Sequence, residues 1–354
     1  MQSLALTAWL RRHQRYFIPP APSGSIDPFP LQIGHACDPP LGVEWEAVEI
    51  VVYGYFGKGN LGDQALAEVW RDALVGLGSV KLFAPPQIPR GDAVVFTGEP
   101  LQDRTSRRSL LFYAFAIHAA SRRGRAILGA VGVDVRSVLG RRLLPRILRD
   151  VDYISVRDPR SREILRSLGI QAHEYRDAAL LLPSADGPHR GELLLNLVPG
   201  LPARIREEAL RFAHGIASYL NTGLKGLVMA RREDEYALKG LELLVPHTVD
   251  EALEIIGGAA LVVGARLHAL EFALLRGTPF VAVPYAPKVN AFLALVERDL
   301  PHGIPQIPGA SVRDTLEKIL SPHYGAALKV ARERLQTEAR EGVEDVVRFL
   351  REMA

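Results

Sequence analysis

Short β-branched runs alternating with amphipathic helical patterns constrain this chain most, because such alternation demands a parallel sheet covered by helices on both faces. The first run is VEIVVY (48–53). A glycine-rich turn follows, then a helical pattern with Leu66, Val69, Trp70, Ala73, Leu74 and Leu77 on one face. Further strand candidates are VKLF (80–83), AVVFT (93–97), RAILGAV (125–131), YISV (153–156) and HEY (173–175), with helical patterns at 106–122, 137–149 and 159–168 among them. The alternation breaks at PSADGPHRG (183–191) and starts again. ELLLNLV (192–198), LKGLVMA (224–230), ALVVG (260–264) and PFVAV (279–283) read as strands. Residues 202–220, 248–257, 266–277 and 287–298 read as helices, and helical patterns at about 311–320 and 324–353 end the chain.

Two successive units predict an α/β fold of two Rossmann-like lobes with a central cleft, where ligands bind outside the carboxyl ends of the strands. The expected boundaries are a proline-rich N-terminal extension over 1–45, a first lobe over 46–185, a second lobe over 190–325 and a C-terminal helix over 326–354. Residues 18–42 hold too much proline and glycine for a helix or a central strand, so the extension reads as linker that folding does not need. With 48% of 354 residues hydrophobic, the chain has apolar material for two independent cores.

The lone Cys37 rules out an intrachain disulfide. No apolar run approaches the ~20 residues of a membrane helix, and MQSLALTAWLRRHQRYF sets its apolar stretch ahead of its basic residues, unlike a signal peptide. The expectation is a cytoplasmic protein. A net charge of +3 is too small to point to nucleic acid. There is no cysteine pair, no H-x-x-x-H and no clustered acidic loop, so neither metal nor cofactor is expected.

Three loops carry candidate chemistry. In GYFGKGNLGD (54–63), Gly57, Gly59, Asn60, Gly62 and Asp63 lead into a helix expected to start near Gln64, whose N–H groups could face an anion. An equal reading is a tight turn with Asp63 as helix cap. In TGEPLQDRTSRRSL (97–110), Ser106 is a helix cap, while Arg104, Arg107 and Arg108 offer forks for phosphate or carboxylate, most of them read as solvated. In the third, Arg266 and His268 follow a strand, and Lys288 follows the next strand 20 residues after His268. One helix and one strand fill that distance, so His268 and Lys288 return to the same sheet edge, which favours function over a structural histidine.

Taken in order, these stretches resemble the polysaccharide pyruvyl transferase family, in its CsaB-like branch. The resemblance rests on GYFGKGNLGD, LQDRTSRRSLLFY, YISVRDPRSREILRSLGI with the Asp177 region after it, and GARLHALEFA with PYAPKVNAF, covering roughly residues 48–300. It implies a fold similar to B-type glycosyltransferases. It also implies transfer of pyruvate from phosphoenolpyruvate, as a ketal, to a sugar of a cell-wall polysaccharide or its lipid-linked precursor. The ketal would anchor surface-layer proteins, and a lipid-linked acceptor would bring peripheral contact with the inner membrane surface. At matching positions, the resemblance implies donor binding by Arg108 and Lys288, with His268 beside them. The chemistry then makes His268 the general acid or base and Arg266 a further donor contact. The chain departs from the family pattern at Thr97-Gly98-Glu99, where three glycines are usual, at Gly129-Ala130-Val131-Gly132, and at LNLVPG (195–200). The rival readings are a nucleotide-sugar glycosyltransferase of the same fold, which a donor screen separates, and a non-catalytic relative.

Overall fold

The computed structural model describes residues 48–352 apart from Thr105, Pro188 and Arg190; the extension expected over 1–45 and Cys37 lie outside the described residues. The first lobe runs β1 (Glu49–Tyr53), α1 (Leu61–Leu74), β2 (Ser79–Phe83), β3 (Ala93–Phe96), β4 (Leu101–Gln102), α2 (Arg107–Ser121), β5 (Arg125–Val131), β6 (Val133–Asp134), α3 (Val138–Ile147), β7 (Tyr153–Val156), α4 (Pro159–Ser167) and β8 (His173–Glu174). The second runs β9 (Leu193–Asn196), α5 (Ala203–Leu220), β10 (Leu224–Leu227), α6 (Glu233–Ala237), β11 (Leu243–Leu244), α7 (Val249–Gly258), β12 (Leu261–Gly264), α8 (Leu267–Leu275), β13 (Phe280–Ala282), α9 (Pro287–Val296), α10 (Val312–Ile319) and α11 (Pro322–Arg351).

Both main sheets are wholly parallel, ordered β2-β1-β3-β5-β7-β8 and β11-β10-β9-β12-β13. The α/β class expected from the alternation is therefore the fold observed. In the first sheet the order reverses between β1 and β3; in the second it reverses between β9 and β12. Ligand sites gather at such switch points, outside the carboxyl ends of the strands. Here the loops after β1, β3, β12 and β13 carry the candidate residues.

The apolar residues do not divide into one core per lobe. β1 sends Val51 and Tyr53 into a core under α2 and α3, and Ile50 and Val52 to the opposite face. That opposite core runs on through Trp70 of α1 to Leu195 of β9 and Phe272 of α8. Two independent cores were the expectation; one continuous core joins the sheets instead, because α1 buries Ala65, Leu66, Val69 and Trp70 between them. The 30-residue α11 adds a second tie. Its Asp345 accepts bonds from the hydroxyls of Tyr153 and Tyr175 in the first lobe, while Arg334 pairs with Asp299 at 2.8 Å just beyond α9.

Candidate active site

A cleft of about 1300 Å³ opens between the two sheet edges, with Asp63, Glu99, Arg104, Arg108, Arg157, Arg266, His268, Tyr285 and Lys288 in its wall. It meets the expectation of a central cleft, and it is large for a small-molecule site, typically ~300–1,000 Å³.

The glycine loop packs against the second lobe. α1 starts at Leu61, three residues earlier than expected, and its cap is Asn60 rather than Asp63. The Asn60 side chain accepts from Gly62 N at 3.1 Å, and the Asn60 carbonyl accepts from Gln64 N at 3.1 Å. Leu61 N donates to the Met229 carbonyl at 2.9 Å, and Arg231 N donates to the Gly59 carbonyl at 2.9 Å. The loop thus makes an antiparallel bridge to the segment after β10 and fastens the lobes together. Gly57 and Gly59 serve that path with φ of 67° and 77°, which only glycine adopts freely. Gly62 permits a close approach, but to a side chain: a Cβ there would fall 1.8 Å from His268 Nδ1.

His268 stands in the first turn of α8, seated on Gly62, with its side chain 13% exposed. Its Nε2 lies 3.9 Å from Asp177 Oδ2 and 3.7 Å from Glu271 Oε2. Burial pushes the imidazole down to about 4; Asp177 opposes this, while Arg157 and Lys288 add to it. His268 is therefore neutral at pH 7. Glu271, 1% exposed, is raised well above the carboxylate range by burial and by the Asp177 charge. Asp177 itself accepts from Arg157 Nη1 at 2.8 Å. His268 Nε2, Glu271 Oε2 and Arg157 Nη2 are buried with no hydrogen-bond partner among the described residues. Asp177, His268 and Glu271 each bring one ligand-type atom within 4.8 Å of the others. This trio is what could hold a cation, and no sequence spacing reveals it. The Arg157 guanidinium bonded to Asp177 already supplies positive charge there.

Lys288, at the first turn of α9, does reach the cleft beside His268, since β12 and β13 are adjacent parallel strands. Its ammonium donates to Glu99 Oε2 at 3.0 Å. Burial lowers the lysine, and Glu99 more than offsets this, leaving its pKa above the ordinary value. Glu99 is pushed up by burial but held at about 2 by Lys288 and Arg157. Asp63 goes the other way: burial pushes it up to about 7, against the pull of Lys288 and Arg157.

The remaining expected residues divide. Arg108 is exposed and lines the cleft, one residue into α2, whose cap is Ser106 as expected. Arg104 stacks over the Tyr285 ring at 5.6 Å. Arg266 lines the cleft, yet its fork is bound to Asp234 at 2.7 Å and Glu233 at 2.7 Å. The fully buried Asp234 also accepts from Met229 N, Ala230 N and Asn196 Nδ2, so Arg266 belongs to a network that shapes the loops of the second sheet. Much of the arginine-rich stretch pairs internally: Arg104, Arg136 and Arg160 all converge on the buried Asp134. Arg157, Asp177 and Glu271 lie within stretches that carry the family resemblance, but the sequence reading assigns them no role. The available signal is position: Arg157 follows the carboxyl end of β7 in the arginine-rich phrase that holds it.

Two comparisons bear on these loops. A family model described as Polysaccharide pyruvyl transferase matches residues 60–287, a span that holds Glu99, Arg108, Arg157, Asp177 and His268 and ends one residue before Lys288. A search of curated proteins finds no match. Among solved structures, a protein described as a UDP-N-acetylglucosamine 2-epimerase from Listeria monocytogenes is 12% identical, with 84% of this chain and 97% of that chain covered and a TM-score of 0.50. The glycotransferase of kitacinnamycin is 12% identical over 87% and 99% with a TM-score of 0.48, and an alpha-glucosyltransferase in complex with UDP is 12% identical over 83% and 95% with a TM-score of 0.43. At such identity the epimerase likeness shows the fold alone.

Proposed function

Because this chain belongs to the polysaccharide pyruvyl transferase family, we propose that it transfers pyruvate from phosphoenolpyruvate to a cell-wall saccharide as a ketal. The observation that most supports this reading is the meeting of a neutral, buried His268 with Lys288 and Arg157 at one point of the cleft. Phosphoenolpyruvate carries a carboxylate and a phosphate. Lys288 and Arg157 suit the deep anionic group, and Arg108 at the exposed mouth of the cleft suits the other.

The first sugar hydroxyl adds to C2 of the donor. Its proton passes to His268, which enters neutral and so acts first as base, and then to C3, which becomes the methyl group. A bound anion raises the proton affinity of the imidazole, so the donor itself brings His268 toward a useful pKa. A second hydroxyl forms the second C2–O bond as the C2–O bond to phosphate breaks, and its proton leaves with phosphate. Arg266 acts indirectly in this scheme, holding the Asp234 network from which α8 starts. Acceptor recognition belongs to the wide part of the cleft, where Tyr55, Phe112, Tyr285 and Pro199 offer apolar faces for sugar rings. The acceptor class proposed is a saccharide of the wall polymer or its lipid-linked precursor, in the CsaB-like role of anchoring surface-layer proteins. No helix among the described residues is long and apolar enough to cross a membrane, so a lipid-linked acceptor would be met from the membrane surface.

The test is incubation with isotopically labelled phosphoenolpyruvate and purified wall saccharides, followed by mass spectrometry. Label in the saccharide as a pyruvate ketal is expected. Unlabelled saccharide together with sugar transfer from a nucleotide donor would overturn the proposal.

A further inference from the structure

We infer that Glu99 is a built-in competitor for the donor's anion, a specificity-determining residue whose carboxylate must be displaced from Lys288 before an anionic ligand can bind there. The inference rests on the reading of Lys288 as a donor contact.

Neither deep cation of the cleft is without a carboxylate. Lys288 Nζ lies 3.0 Å from Glu99 Oε2, and Arg157 lies 2.8 Å from Asp177 and 3.8 Å from Glu99. Arg266 is matched by Asp234 and Glu233. His268 is neutral at pH 7 and adds no charge. Each of these cations is thus paired with a carboxylate before any ligand arrives. Glu99 stays ionised at every working pH, held by the same cations. An incoming carboxylate or phosphate oxygen that reaches Lys288 would sit within a few ångströms of this fixed negative charge, and like charges so close in a partly buried site oppose each other strongly.

The backbone here cannot simply withdraw. Thr97 N donates to the Tyr53 carbonyl at 3.0 Å, and the Gly98 carbonyl accepts from Gly132 N at 2.8 Å. Both bonds pin the loop to its own sheet, and Pro100 restricts Glu99 from the other side. Displacement is therefore a rotation of the Glu99 side chain, which lines the open cleft and has room to turn into it. A ligand with a single anionic group gains little from this exchange. A ligand that offers two anionic groups replaces the lost Glu99–Lys288 pair and adds a further contact at the cleft mouth. Glu99 in this way selects donors with two separate anionic groups and weakens binding of ligands with one.

Calorimetric titration of the full chain with inorganic phosphate and with phosphoenolpyruvate tests this, comparing the parent with Glu99→Gln and Glu99→Ala, each also in a Lys288→Met background. Both Glu99 variants are expected to bind phosphate at least tenfold tighter than the parent, and Lys288→Met should remove that gain. Equal or weaker phosphate binding by both variants overturns the inference, since Glu99 would then be supporting Lys288. Loss of cooperative melting in both variants overturns it too, by making Glu99 a structural partner. The donor reading fails separately: tighter phosphate binding without turnover of phosphoenolpyruvate by any form refutes that reading and keeps this one. Turnover by the parent with unchanged anion affinity in Glu99→Gln does the reverse.

Discussion

Gly62→Ala should invert its effect on stability depending on whether His268 is present. In the parent, the new Cβ would fall 1.8 Å from His268 Nδ1, 2.3 Å from Cγ and 2.6 Å from Cε1. Apolar contact is comfortable only near 3.5 Å, so the ring must retreat by ~1.5 Å or more. It cannot retreat freely, because Asp177 and Glu271 flank its far nitrogen. Overpacking of this kind costs about 1–3 kcal/mol. With His268→Ala the obstacle is gone. Gly62 is the second residue of α1, where alanine is favoured over glycine by up to about 1 kcal/mol. The same substitution should thus destabilise the parent by about 1–3 kcal/mol and be neutral or stabilising by about 0.5–1 kcal/mol in the His268→Ala background. Urea unfolding of the four proteins measures both values. Turnover by the single Gly62→Ala variant should drop about 100-fold, the scale of a 1 Å misplacement of a catalytic group. Equal destabilisation in the two backgrounds would refute the seat of His268 on Gly62.

Asp63→Asn should be stabilising at pH 8 and close to neutral at pH 4. The folded state holds Asp63 at about 7 against an unfolded value near 3.8, so the group binds more protons folded than unfolded and stability falls as pH rises through that window. The asparagine variant escapes this loss, by about 1–4 kcal/mol in melts at pH 8; a gain that does not depend on pH would contradict it. Asp234→Ala should cost about 3–5 kcal/mol, because Arg266 loses its buried partner and the N–H groups of Met229 and Ala230 lose their acceptor; denaturant melts near the parent value would contradict that. A chain starting at Glu44 should melt cooperatively at the parent temperature, since β1 begins at Glu49; aggregation or a large fall in melting temperature would show that the extension packs on the body.

The strands were legible because a parallel sheet buried on both faces leaves continuous apolar runs, as in β1, β3 and β12, whose residues are buried nearly end to end. The two-residue strands β4, β6 and β11 carry no such run, and the five-residue α6 is too short for a periodic stripe. His268 and Lys288 could be placed together because strand ends are countable. What the glycines at 59 and 62 approach was not readable, because the answer lies in another lobe: Arg231 in one case, His268 in the other. The same holds for the pairing of Arg266 with Asp234 and of Lys288 with Glu99, each a contact between residues far apart in sequence. Local periodicity reports burial; it does not report which carboxylate a cation meets.

Phosphate released per ketal formed, counted in the same reaction with phosphoenolpyruvate as sole donor, tests the proposed chemistry most directly. One phosphate for each pyruvate ketal is expected from the parent, with both products falling together by about 100- to 10,000-fold in His268→Ala, the usual loss on removing a general acid or base. Phosphate release without ketal, ketal formation unaffected by His268→Ala, or transfer from a nucleotide sugar in place of phosphoenolpyruvate would contradict it.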